Sequence, residues 1–140
     1  IEEDSEIAIT IADTSQAVKR AKVLVVDDEP GVRSLIRVIL TGNGHIVEEC
    51  DNPRQVLEKL IDTTYDLIIM DLRMPGMSGM ELYSEISTRW PNLARRVIII
   101  TGDTSDAVTR EYLDTLQIPS ITKPFDRKTL EEKVNAILSE

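Results

Sequence analysis

A doubly wound α/β sheet is the fold class this sequence predicts, on three observations. Short apolar runs recur along the chain, each is followed by a segment with helical spacing, and acidic, hydroxyl or basic residues stand where several of the runs end. From Lys22, the run Val23, Leu24, Val25 and Val26 stops at Asp27, Asp28, Glu29, Pro30 and Gly31, which reads as a buried strand and a loop. Val32, Leu35, Ile36, Ile39 and Leu40 then follow at helical spacing and close on Gly42, Asn43 and Gly44. A strand over 46–49 leads to a helix opened by Asp51 or Asn52, with Pro53 in its first turn. The third strand is expected over 67–70, and after Met74, Pro75 and Gly76 a helix over 78–90 is stopped by Pro91. A fourth strand over 97–100, a helix over 105–116, a short strand over 118–122, the turn Lys123–Pro124 and a helix over 126–139 complete the series. Strands that alternate with helices need crossover connections, hence a parallel sheet covered on both faces.

Residues 1–20 stand apart. They are acidic at the start, carry no Gly or Pro, and alternate Ile7, Ile9 and Ile11 with Ala8 and Thr10, the spacing of one isolated strand. A lone strand leaves its edges unpaired, so 1–20 is read as a linker or the remnant of a preceding domain, with linker favoured, and 21–140 as the folded domain. The first residue is Ile rather than Met, in keeping with a piece of a larger parent protein.

A length of 140 residues, with 41% apolar and 29% charged, suits one hydrophobic core. A net charge of −9 lacks the positive footprint from which direct nucleic-acid or anionic-membrane binding is argued. Cys50 is the single cysteine, which excludes an internal disulfide and reads as a buried thiol in a reducing, cytoplasmic setting. No apolar run reaches bilayer-spanning length. His45 has no second histidine to pair with and is expected at the surface; Trp90 marks a helix end.

In open α/β sheets ligands bind beyond the carboxyl ends of the strands. Those ends carry Asp27 and Asp28, Asp71, Thr101 and Lys123. Two carboxylates about 4 Å apart repel by roughly 4 kcal/mol at an effective dielectric of 20, so three call for a cation. Few ligands, all of them oxygen, suit Mg²⁺, which favours one or two carboxylates together with a phosphate oxygen. Taken singly, the Asp27–Asp28 pair is a solvated turn, Asp71 precedes a Pro-Gly loop, and Lys123 is an exposed lysine; their joint placement is what points to chemistry.

The blocks VLVVDDEP, DLIIMDLRMPGMSG, VIIITGDT and ITKPF, in this order and spacing over 22–139, resemble the signature blocks of bacterial two-component receiver domains, the CheY-like family. The resemblance implies a flavodoxin-like sheet of order 2-1-3-4-5. It implies Asp71 as phosphoacceptor, Asp27 and Asp28 as the acidic pair around Mg²⁺, the backbone carbonyl of Arg73 as a further metal ligand, and Thr101 and Lys123 as the hydroxyl and ammonium that meet the phosphoryl group. A histidine kinase or histidine phosphotransfer domain is the implied partner, and the family allows a homodimer. The only enzymatic activity implied is self-phosphorylation and autodephosphorylation. Phosphorylation would then reshape the surface of the helix over 105–116, the fifth strand and the last helix. Ser120 stands where the family has a coupling aromatic, which leaves Tyr112 or Phe125 as the route. Arg73 and Asp103 flank the site and are expected to pair and to set the lifetime of the phosphoryl group. The stretch from Thr101 to Phe125 resembles the C-terminal receivers of hybrid sensor histidine kinases.

Competing classes fit less well. A haloacid-dehalogenase-like phosphatase would place an acid two residues after its nucleophile, where this chain has Arg73; a nucleotide- or flavin-binding sheet would have a Gly- or Ser/Thr-rich first loop, which here is Asp-rich. A stand-alone response regulator and an unphosphorylated docking module remain as alternatives.

Overall fold

The structure, a computed structural model, describes residues 20–73, 76–102 and 107–139. The strand expected near Ile7–Ile11, and Met74, Pro75 and Asp103, lie outside the described residues. Five strands, β1 (Lys22–Val26), β2 (Ile46–Cys50), β3 (Leu67–Asp71), β4 (Val97–Thr101) and β5 (Ser120–Thr122), form one sheet. Their order is β2-β1-β3-β4-β5, and every neighbouring pair is parallel. The helices are α1 (Pro30–Gly42), α2 (Pro53–Asp62), α3 (Gly79–Arg89), α4 (Pro91–Ala94), α5 (Ala107–Leu116) and α6 (Arg127–Leu138). The single turn α4 is an addition to the expected set. Pro91 ends α3 as predicted, and its fixed φ at the start of the next turn opens a new one. Among the described residues no helix is long and apolar enough to cross a membrane.

The continuous apolar runs are explained by two-sided burial. Val23, Val25, Ile69, Ile98 and Ile100 face one way and pack on Ile36 and Leu40 of α1 and Leu130 and Val134 of α6. Leu24, Val26, Ile68, Met70 and Ile99 face the other and pack on Val56 of α2, Leu82 and Ile86 of α3 and Leu113 of α5. Each such side chain contributes about 1.5–3 kcal/mol by leaving water. Local chemistry starts the helices where it can: Asn52 caps α2, Ser78 and Glu81 form a capping box on α3, and Asp126 caps α6.

Two expectations need correction. Leu35 is exposed, and α1 turns Ile36, Ile39 and Leu40 inward with Val32 only half-buried. His45 is buried rather than on the surface. After Gly44, which takes φ +94, the chain folds back so that the His45 amide donates to the Leu40 carbonyl at 3.0 Å. The ring then accepts the Ala21 amide on Nδ1 at 3.1 Å. That partner lies 24 residues earlier in the chain, so no local pattern announces it. Among the described residues the Nε2 atom has no hydrogen-bond partner, and burial lowers the imidazole pKa.

Two outcomes follow. Burial disfavours the charged ring in the fold while the unfolded chain takes a proton near pH ~6.5, so this contribution is complete above that value and is lost as pH falls from it through the lowered folded pKa. The urea midpoint of the wild type should therefore drop more steeply between about pH 7.5 and 5.5 than that of His45→Gln; parallel curves would rule this out. At Gly79, an added Cβ would lie 2.7 Å from Leu72 Cα and 2.9 Å from the Asp71 carbonyl oxygen, both backbone atoms. Gly79→Ala should cost about 1–3 kcal/mol in urea unfolding.

Candidate functional site

Backbone hydrogen bonds tie the carboxyl edge of the sheet into a fixed frame. The Asp27 amide donates to the Cys50 carbonyl at 3.2 Å, which extends β1 against β2 by one residue. The Leu72 amide donates to the Ile100 carbonyl at 2.9 Å, and the Lys123 amide to the Thr101 carbonyl at 2.8 Å. Asp27 thus follows β1, Asp71 ends β3, Thr101 ends β4 and Lys123 follows β5. The Lys123–Pro124 peptide bond is cis.

On this frame Asp27, Asp28 and Asp71 each offer a carboxylate oxygen within 4.8 Å of the others; Asp27 and Asp71 are buried and Asp28 is exposed. The Lys123 ammonium lies 3.1 Å from Asp71 Oδ2 and 3.3 Å from Asp27 Oδ2. The remaining oxygens take backbone donors: Asp27 Oδ1 accepts the Glu29 amide at 2.8 Å, and Asp71 Oδ1 accepts the Arg73 amide at 3.1 Å. Asp27 Oδ2 is buried and, although the ammonium is at ion-pair distance, has no hydrogen bond aligned on it among the described residues. A buried carboxylate oxygen without an aligned donor, beside two more carboxylates, is a donor set that fits a small hard cation.

The electrostatics agree with that crowding. Burial raises the Asp27 pKa, the Glu29 amide opposes this, the nearby Asp71 charge adds to the rise, and Lys123 lowers it again. Burial would pull Lys123 down, but its hydrogen bonds to Glu29 and Asp71, with the charges of Asp71 and Asp27, hold it above the ordinary lysine value.

The structure therefore brings Asp27, Asp28, Asp71 and Lys123 together, with Thr101 buried at the adjoining strand end. Arg73 stands two residues beyond Asp71 with its side chain exposed, while Asp103, its expected partner, lies outside the described residues. Ser120 pairs with Ile99 in the sheet and is half-buried; Tyr112 packs against the core on the α3 side and Phe125 against the core on the α1 and α6 side. Cys50 is buried, with its thiol pushed up to about 11 by desolvation, which excludes it as a nucleophile near neutral pH. Sequence reasoning missed Glu29 as a partner of Lys123, at 2.6 Å. The available signal was a glutamate directly before Pro30, at the position where a helix ordinarily carries a capping side chain.

The model of the response regulator receiver domain family matches residues 23–135. This chain is a response regulator receiver domain. It is 32% identical over 117 residues to the transcriptional regulatory protein ResD of Bacillus subtilis, covering 84% of this chain and 48% of that protein. With the DNA-binding transcriptional regulator NtrC of Escherichia coli it shares 37% identity over 109 residues, covering 77% of this chain and 23% of that protein. The receiver thus spans about half or less of these relatives. Among solved structures it superposes on the chemotaxis response regulator CheY4 of Vibrio cholerae with a TM-score of 0.76 at 26% identity, covering 86% of this chain and 100% of that one. The response regulator TrrA of Thermotoga maritima, solved in complex with Mg²⁺ and BeF, matches with a TM-score of 0.72 at 32% identity, covering 84% and 98%.

The raised pKa of Asp27 has a sign that can be checked. A folded-state pKa above the unfolded value means that the ionised carboxylate opposes folding at neutral pH, and that this penalty fades as pH falls through the folded pKa. Asp27→Asn keeps the oxygen that accepts the Glu29 amide and removes the charge. In EDTA at neutral pH it should stabilise the receiver by about 0.5–2 kcal/mol in thermal unfolding, with the advantage over wild type shrinking toward acid pH.

Proposed function

We propose that this receiver accepts a phosphoryl group on Asp71 from the phosphohistidine of a histidine kinase or histidine phosphotransfer domain, in a Mg²⁺-dependent reaction. The observation that carries the reading is the Asp71 carboxylate at the strand end, 3.1 Å from the Lys123 ammonium and within 4.8 Å of two further carboxylates. Asp27, Asp28 and Asp71, with the Arg73 backbone carbonyl, would hold the metal. Bound Mg²⁺ supplies positive charge for the phosphoryl oxygens.

The chain's own residues do the rest. An Asp71 oxygen forms the new P–O bond as the P–N bond to the donor imidazole breaks, and the imidazole leaves with the electron pair and takes up a proton. No general base is needed, because the attacking group is a carboxylate. Lys123 stands on Asp71 Oδ2 and balances charge on the transferring group, and the Thr101 hydroxyl donates to one of its oxygens. The acyl phosphate brings new negative charge and acceptor oxygens, which draw Thr101 and Lys123 inward and shift the face of α5, β5 and α6. With Ser120 in place of an aromatic, Tyr112 or Phe125 carries that shift.

The module transfers no phosphate from ATP; it promotes its own phosphorylation and dephosphorylation in the cytoplasm. The region after β4 supports a parent of the hybrid sensor histidine kinase kind. The names of the relatives, which are transcriptional regulators, support a response regulator instead. The reaction at Asp71 is the same in either parent.

Incubation with a small phosphodonor and Mg²⁺ should give a base-labile phosphate adduct by mass spectrometry, absent in Asp71→Asn and slowed by about a hundredfold in Lys123→Ala. An adduct that persists in Asp71→Asn, or none in the wild type, would overturn the assignment.

A further inference from the structure

α1 begins without the device that begins the other long helices whose first turn is described. Asn52, Ser78 and Asp126 each turn a side-chain oxygen onto a backbone amide of the first turn of α2, α3 and α6. Glu29 holds the same position on α1 and makes no side-chain cap. Its carboxylate instead accepts a hydrogen bond from Lys123 Nζ at 2.6 Å, across 94 residues of sequence. A position that forgoes a local rule for a distant contact with a site residue marks a functional constraint.

Lys123 accordingly stands among three anions: Glu29 at 2.6 Å, Asp71 at 3.1 Å and Asp27 at 3.3 Å. Asp27 and Asp71 belong to the trio of carboxylates suited to a metal ion, and Glu29 does not. The Glu29 side chain is 60% exposed, against 0% for Asp27 and 8% for Asp71, so it stands at the rim of the site. A divalent cation placed among Asp27, Asp28 and Asp71 repels the ammonium from the same oxygens that both seek. Glu29 is then the one partner of Lys123 in this set for which the cation does not compete.

We infer that Glu29 is a positioning residue that seats Lys123 at the rim when a divalent cation occupies the Asp27, Asp28 and Asp71 cluster, so that lysine and cation act on Asp71 together instead of excluding one another. The inference rests on the phosphoacceptor reading given above. Without the glutamate charge, the only anions left to Lys123 in this set are the two that the cation needs, and the ammonium becomes a direct competitor.

The test is a double-mutant cycle read by Mg²⁺ affinity, from calorimetry or amide shifts, on wild type, Glu29→Gln, Lys123→Ala and the double variant, with circular dichroism to check folding. Glu29→Gln should weaken Mg²⁺ binding by about threefold to tenfold while Lys123 is present, and by less than about twofold in the Lys123→Ala background. Equal losses in both backgrounds would make Glu29 a general negative charge near the metal, and no loss in either would remove it from the site; both results overturn the inference and leave the phosphoacceptor reading standing. A wild type that binds no Mg²⁺ overturns the two together.

Discussion

Crowding of like charge at one edge of the sheet is the constraint from which the rest of this molecule follows. Parallel strands all present their carboxyl ends to the same side, so acids at the ends of β1 and β3 meet whether or not their charges agree. Asp27 and Asp71 are also buried, which removes the water that would ease their repulsion. Lys123 answers from β5, at the far edge of the sheet, and is held there by the charges it neutralises. The one ammonium thus offsets only part of the charge that the carboxylates bring together. Burial first, and the neighbouring Asp71 charge after it, raise the Asp27 pKa, and its Oδ2 has no aligned donor among the described residues.

A fold can carry such a site when its stability lies elsewhere. Here two apolar layers, one on each face of the sheet, enclose the three central strands, whose apolar side chains are almost wholly removed from water. Near the site the backbone is stiffened as well: the Gly79 amide donates to the Leu72 carbonyl at 2.8 Å, and the close approach at Gly79 fastens the start of α3 to the chain just past β3. At the amino end of the sheet His45 is buried beside the start of β1, and burial lowers its pKa.

Strand order places each partner by its distance from the centre. β1 and β3 are neighbours, so their acids come together without any long side chain, and β4 adds Thr101 beside them. β5 is separated from β3 by β4, and the residue that reaches back across that gap is a lysine with a long flexible stem. The side-chain types at the strand ends are thus matched to how far each must reach.

Most of the architecture was legible from the chain alone. Buried parallel strands need apolar residues on both faces, and the runs Val23–Val26, Leu67–Met70 and Val97–Ile100 announce that requirement directly. Pro91, Asn52 and Ser78 mark helix ends by local chemistry, and Asp27, Asp71, Thr101 and Lys123 are legible because a strand end is a local property. Tertiary structure decided what depends on approach between distant segments: the burial of His45 against Ala21, the exposure of Leu35, and the reach of Glu29 to Lys123. Periodicity reports which face a residue occupies, but it carries no record of which other segment that face will meet, and these three outcomes turn on the meeting.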